Sequence, residues 1–171
     1  MRCVFRVLFG FSAYFMAGML LLCDAAFAST SYDLSGPVTV TKVSDGDSLR
    51  IGKLRIRIFG IDAPELKQQC QDQNGTAWDC GLAARQQLEN LLDANKLLDC
   101  ELRDVDRYGR LVMQCFRGTV DIGAAMVRSG HALAYRSFSH LYVAEEQHAT
   151  SARNGIWRGS FQPPWKWRQQ N

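Results

Sequence analysis

The sequence predicts an α+β domain, or a small β-barrel with helices attached. Three observations point there. Short β-branched, alternating segments recur along the chain, apolar residues at helical spacing fall in separate segments, and the order is three strands, helix, two strands, helix, helix. A length of 171 residues fits one domain with a small appendage. Charged residues make up 22% and there are only 14 Gly and 4 Pro, which excludes a disordered or collagen-like chain. A net charge of +3 with no block of like charge is too weak to name a partner.

Residues 1–28 stand apart from the fold. Arg2 and Arg6 precede an uncharged, mostly apolar run of 16 residues, Val7 to Leu22, and Ala26-Phe27-Ala28 follows as an A-x-A cleavage signal. This pattern predicts a secretory signal peptide cut after Ala28. An uncleaved anchor ranks second, because 16 residues fall short of the ~20 that span a bilayer. A lipoprotein anchored through Cys23 ranks third, because Leu22 stands where a small residue is expected. The expected mature domain is Ser29 to Asn171, with 18 basic and 16 acidic residues. Arg dominates the basic set, a weak pointer to carboxylate or phosphate partners.

The first strand is expected at Val38-Thr-Val-Thr41, which is β-branched and alternating. Ser44-Asp-Gly-Asp47 is turn chemistry. Ser48 to Ile51 and Leu54 to Ile61 are expected strands joined by a Gly52-Lys53 hairpin turn, with Pro64 stopping the second. Ala84, Leu88, Leu91 and Leu92 mark one face of a helix from Gly81 to Asp93. Two strands follow, Leu98 to Arg103 and Leu111 to Phe116. Asp121 is the expected N-cap of a helix from Ile122 to Ser129, with Gly130 at its C′ position. A short strand is expected at Ala132 to Tyr135 and a helix from Leu141 to Asn154, ended by Gly155. The Pro-broken apolar tail 158–171 is expected to strap across the body.

Four cysteines lie in the mature chain, an even count that reads as disulfides in an exported protein. A hairpin centred between Arg107 and Tyr108 places Cys100 opposite Cys115, both 7.5 positions away. Cys70 and Cys80 then pair. No C-x-x-C exists, and His131, His140 and His148 lack zinc-ligand spacing.

Asp45, Asp47, Asp62 and Glu65 cluster around two turns. They converge at one sheet end if the first and third strands are neighbours. Close carboxylates repel unless a cation intervenes, and a hard oxygen-ligand ion, Ca²⁺ or Mg²⁺, would settle the conflict. Arg57 sits mid-strand between Ile56 and Ile58. It is either half of a buried pair with one of the Asp residues or a phosphate clamp. Arg107 and Arg110 flank Tyr108 in the hairpin loop, where a loop Arg can reach an anion. A cation site, two arginines and a carboxylate base make the inventory for attack of water on a phosphodiester. No nucleophile elbow, P-loop or dinucleotide fingerprint is present.

Asp45-Gly-Asp47, Arg57-Ile-Phe-Gly-Ile-Asp62-Ala-Pro-Glu65 and Asp106-Arg-Tyr-Gly-Arg110 together resemble the motif series of the staphylococcal nuclease (thermonuclease) family. Met126-Val-Arg-Ser-Gly130 and Gly155-Ile-Trp157 resemble its later helical signatures, so the match runs from about Val38 to Trp157. The cysteine pairs and tail resemble an exported bacterial subgroup. The resemblance implies a five-stranded OB-type barrel with about three helices. It implies a monomeric, Ca²⁺-dependent nuclease that hydrolyses DNA and RNA, single strands preferred, and leaves 3′-phosphate ends. By the same likeness Asp47 and Asp62 match the calcium-binding carboxylates, and Ala63 the backbone-carbonyl ligand. Arg57 and Arg110 match the phosphate-binding arginines and Glu65 the general base. Asp45 matches a supporting acid, while Tyr108 and Tyr135 fall near nucleotide contacts. Ser48 and Ala63 depart from the family, which has Thr at both. Ser48 keeps a hydroxyl for the metal shell, whereas Ala63 loses one near the water. The alternative is a non-catalytic nucleic-acid-binding module of the cell envelope, using the basic groove and aromatics of such a barrel. A structural envelope protein would not explain Arg57 beside clustered carboxylates.

Overall fold

Leu49, Ile56 and Ile58 turn inward while Arg50, Arg55 and Arg57 do not, and this alternation folds residues 48–58 into a two-stranded hairpin. The structure is a computed structural model that describes residues 31–92 and 97–171. The expected signal peptide and Asp93, the expected helix end, lie outside the described residues. Strands are β1 (Leu34–Gly36), β2 (Lys42–Val43), β3 (Ser48–Ile51), β4 (Leu54–Ile58), β5 (Ile61–Asp62), β6 (Cys70–Gln71) and β7 (Ala77–Trp78). After helix α1 (Cys80–Leu91) come β8 (Leu98–Val105), β9 (Leu111–Arg117) and β10 (Val120–Asp121). Then follow α2 (Ile122–Arg128), β11 (Leu133–Ala134), α3 (Val143–Ser151), a 3-10 turn at Gly155–Arg158 and α4 (Pro164–Trp167).

The fold is α+β, with a mixed sheet at its centre. The main pairing path is β1-β8-β9-β4-β3-β2, with β10 on the side of β9. Among the described residues only β4 and β9 run parallel; the other pairs are antiparallel. Two corrections follow for the described residues. The path is open rather than a closed five-stranded barrel, and there are four α-helices rather than three. Two further elements are β1, which pairs on β8, and α4, which forms in the tail.

Other boundaries moved for local reasons. Val38–Thr41 is not a strand. Val38 and Val40 do pack against the core, but the ladder with β3 forms only at Lys42–Val43. The expected strand Leu54–Ile61 stops at Ile58, because Phe59 and Gly60 make a tight turn. Gly60 has φ of +74°, and a Cβ there would crowd the Tyr142 ring at 3.1 Å. Only glycine suits both demands. That turn breaks the period-two pattern of the strand, and Ile61 is buried. The helix expected from Leu141 to Asn154 is shorter at both ends, and Gly155 opens the 3-10 turn.

Several expectations hold in detail. The Asp121 side chain accepts the Ala124 N–H at 3.0 Å and caps α2. Ala84 and Leu88 of α1, and Leu92 just after it, enter the core beside Leu49, Ile56, Ile58, Leu98 and Met113. Cys100 lies opposite Cys115 on β8 and β9, and the two are bridged, as are Cys70 and Cys80. A bulge at Arg103 shifts the later register, so the hairpin closes through Asp106 and Arg110 around Gly109. The Cys100–Cys115 bridge closes a loop of 15 residues. Replacing both by Ala is expected to cost about 3 kcal/mol by the loop-closure relation, read as a lower urea midpoint. An unchanged midpoint would show that the bridge does not constrain the unfolded chain.

Candidate active site

Two turns and one loop deliver the polar side chains. The Asp45-Gly46-Asp47 turn leads into β3, and Asp47 lies against β4, its carbonyl accepting the Ile58 N–H at 2.8 Å. The Phe59–Gly60 turn folds the chain back, so Asp62 on β5 returns to the same place. The adjacency of first and third strands is therefore not what joins the carboxylates. The β3–β4 hairpin and the Gly60 turn do so. Gly46 allows the turn to seat, because a Cβ there would lie 2.7 Å from the Ala63 and Ala84 methyl carbons.

Arg57 holds this centre together. Its Nη1 donates to Asp47 Oδ1 at 3.0 Å and its Nη2 to Asp62 Oδ1 at 2.8 Å. Asp47 and Asp62 are 3% and 0% exposed. Asp47 also accepts the Ser48 hydroxyl at 2.7 Å and the Ala63 N–H at 3.3 Å. Ser48 lies 3.4 Å from Arg110 Nη1 and so connects the first carboxylate with the hairpin loop. Arg110 is braced by Asp106 Oδ2, which accepts from its Nε at 2.7 Å.

The charges perturb one another. Burial, reinforced by the neighbouring Asp47 carboxylate, pushes Asp45 up to about 7. Burial likewise raises Asp62, against the pull of Arg168 and Arg57. Burial alone would lower Arg57, but Asp47 and Asp62 hold it above its ordinary value. The raised Asp45 has a signed consequence. The folded protein holds this proton up to about 7, whereas the ordinary value is 3.8. That contribution to stability is present below about 4 and is lost as pH rises to about 7. In EDTA, Asp45→Asn is therefore expected to gain stability over the wild type between pH 5 and pH 8. Equal pH slopes of the urea midpoints would remove Asp45 from this role.

Above the buried pair lies a cavity of about 810 Å³. Arg55, Arg57, Arg103, Arg107, Arg110 and Arg168 line it, together with the acidic residues Asp45, Glu65, Asp104 and Asp106. Tyr108, 58% exposed, and Tyr135 also line it, each beside an Arg or an aromatic neighbour. The structure thus brings the expected residues to one place, with a division the sequence does not reveal. Glu65, Arg57 and Arg110 face the cavity, while Asp47, Asp62 and Ala63 lie buried behind it.

Two further residues, Gln68 and Arg168, take part at the site without a motif in the sequence to point to them. Gln68 is buried; its Oε1 accepts the Glu65 N–H at 3.2 Å and its Nε2 donates to the Gln162 carbonyl at 2.6 Å. Arg168 Nη1 and Nη2 grip Asp62 at 3.0 and 2.9 Å, and Nη1 reaches Glu65 Oε1 at 2.7 Å. The one available signal for Arg168 was the alternation of aromatic and basic residues in Trp165-Lys-Trp-Arg168. The Glu65 loop has a further support in Gly81, where a Cβ would overlap the Glu65 carbonyl.

The donors suit a hard cation in chemistry: two buried carboxylates, Asp47 and Asp62, both held by Arg57. As the side chains stand, Asp62 is gripped by two guanidinium groups, and among the described residues no three acidic, His or Cys side chains form a metal-holding group.

Buried carboxylates under an arginine-lined cavity define a class: an α+β domain equipped to receive an anion beside acid–base groups. Comparison with known proteins narrows the class. Residues 55–159 match the staphylococcal nuclease homologue family. The chain is 33% identical over 145 residues to the succinoglycan biosynthesis protein ExoI of Rhizobium meliloti, covering 84% of this chain and 73% of that one. It is 30% identical over 139 residues to an uncharacterized endonuclease of Escherichia coli O157:H7, covering 77% of this chain and 84% of that one. It is also 30% identical over 126 residues to the probable staphylococcal-like nuclease CAN2 of Oryza sativa subsp. japonica, covering 72% of this chain but only 31% of the rice protein. The chain belongs to the staphylococcal nuclease homologue family.

Proposed function

We propose that the protein is a nuclease that hydrolyses phosphodiester bonds of DNA and RNA in a Ca²⁺-dependent reaction. The observation that carries this reading is Glu65 on the wall of a cavity ringed by arginines and backed by Asp47 and Asp62. Family membership and the nuclease names of its relatives support it. Its scaffold is OB-type, and it acts as a monomer.

Arg57 and Arg110 bind the oxygens of the scissile phosphate. Arg110 arrives pre-oriented by Asp106 and needs little reorganisation. Glu65 takes the proton from the attacking water or orients it. Attack breaks the P–O5′ bond, so the product ends are a 3′-phosphate and a 5′-hydroxyl. Asp47, Asp62 and the Ala63 carbonyl would hold the calcium, with Asp45 and Ser48 in support; the bound ion supplies charge neutralisation at the phosphate. Tyr108 and Tyr135 stack on bases that are unpaired, which favours single strands. Two disulfides fit an exported protein in an oxidising compartment, the periplasm or the medium. Among the described residues no helix is long and apolar enough to cross a membrane.

The test is cleavage of heat-denatured DNA by the chain from Ser29 to Asn171, in Ca²⁺, in Mg²⁺ and in EDTA. Cleavage in Ca²⁺ alone, with 3′-phosphate ends, is the expected result. Salt-sensitive DNA binding without cleavage would favour the non-catalytic module and make Ala63 the first suspect.

A further inference from the structure

The tail is anchored independently of its arginine. Gln68 donates to the Gln162 carbonyl at 2.6 Å, Pro164 is buried, and Trp165 stacks on Tyr135 with ring centroids 5.9 Å apart and 13° between planes. Phe161 and Trp165 pack against a second apolar cluster that includes Leu133, Ile156 and the Cys70–Cys80 bridge. Arg168 follows this anchored segment and enters the site. It lies beyond the family match, which ends at residue 159, so the family motifs do not assign it.

Its contacts are made to the groups that matter most. A two-pronged grip covers both oxygens of Asp62, and the same guanidinium reaches Glu65. The grip is the bidentate geometry in which arginine binds carboxylate most strongly. Asp47, Asp62 and Glu65 carry three negative charges, and Arg57 and Arg168 supply two positive ones. Asp45 lies beside Asp47 and accepts its N–H at 3.1 Å. Removing Arg168 would leave the fully buried Asp62 with Arg57 as its one guanidinium, shared with Asp47.

From this we infer that Arg168 is a positioning residue, a tethered counter-ion that takes the place of a divalent cation on Asp62, pairs with Glu65 meanwhile, and must be displaced for the cation to bind. The inference rests on the calcium reading above. Arg57 and Arg168 both donate to Asp62 Oδ1, and Oδ2 is held by Arg168, so a divalent cation meets a guanidinium on each oxygen and takes Oδ2 only by displacing Arg168. The tail thereby sets the cation concentration at which the site loads. It also holds Glu65 in an ion pair until that point. Displacement moves the end of the tail, which carries Trp167 immediately before Arg168.

The experiment is a calcium titration by calorimetry of the full mature chain and of Arg168→Gln and Arg168→Lys, with tryptophan fluorescence followed in parallel. Arg168→Gln is expected to bind Ca²⁺ at least about tenfold more tightly than the wild type, in line with loss of a competing charge-assisted contact. Arg168→Lys keeps the charge but not the fork, and is expected to fall between the two. In EDTA, Arg168→Gln melts below the wild type, and Ca²⁺ closes the gap. Calcium changes the tryptophan fluorescence of the wild type. Should Arg168→Gln fail to fold, the wild type against Arg168→Lys still decides. Calcium affinity that is equal or weaker in both variants, in a wild type that binds the ion and cleaves DNA, would overturn the inference and leave the nuclease reading standing. Absence of calcium binding from all three proteins would overturn the calcium reading and this inference together.

Discussion

Glu65→Gln is expected to fold like the wild type and to lose about 10²-fold or more in turnover of single-stranded DNA, the scale of a lost general base or water-orienting group. The reason for the clean effect is where Glu65 sits. Its backbone N–H is tied to Gln68 Oε1 at 3.2 Å, and its carbonyl packs on Gly81. Neither contact depends on the carboxylate, so the loop should keep its course. The ion pair with Arg168 at 2.7 Å is lost, but it is partly exposed on both sides and contributes little to stability. The change therefore removes one negative oxygen from the cavity wall and leaves the shape. Single-turnover rates at saturating DNA separate this from weaker binding. A rate equal to the wild type would remove Glu65 from the mechanism.

How much of this was legible in the sequence depends on how local each cause is. The Cys100–Cys115 register, the Asp121 cap and the apolar face of α1 follow from spacing within one or two turns of chain, and each is present. The break at Gly60 depends on Tyr142 pressing from far along the chain, so the sequence reads one long strand where there are two. Gln68 and Arg168 were invisible for the same reason. Their key contacts span 94 and 106 positions, and no local pattern around either residue points to its partner. The motif residues were found because they cluster near turns in the sequence. That Asp47 and Asp62 lie beneath the arginines, rather than on the cavity wall, needed the packing of β5 and the tail.

Arg57→Ala is expected to be the most destabilising single change at the site, at about 3–5 kcal/mol, because it strips the partner from buried charge. Sequence spacing left two readings of Arg57, a buried pair or a phosphate clamp. The geometry permits both at once: the side chain is only 16% exposed, yet it lines the cavity. The cost arises mainly at Asp47. Asp62 keeps Arg168, but Asp47 is left with the Ser48 hydroxyl and the Ala63 N–H. A carboxylate 3% exposed must then take up a proton or draw in water. Both routes imply a sign: the deficit should shrink at low pH, where protonation removes the unpaired charge. Urea midpoints at pH 4 and pH 8 test this. A loss below about 1 kcal/mol at pH 8 would mean that water or Arg168 already screens Asp47, and would leave phosphate binding as the reason Arg57 is there. Arg57→Lys sharpens the distinction. One ammonium can neutralise Asp47 or Asp62 but cannot fork between them, so stability should recover in part while DNA cleavage stays low.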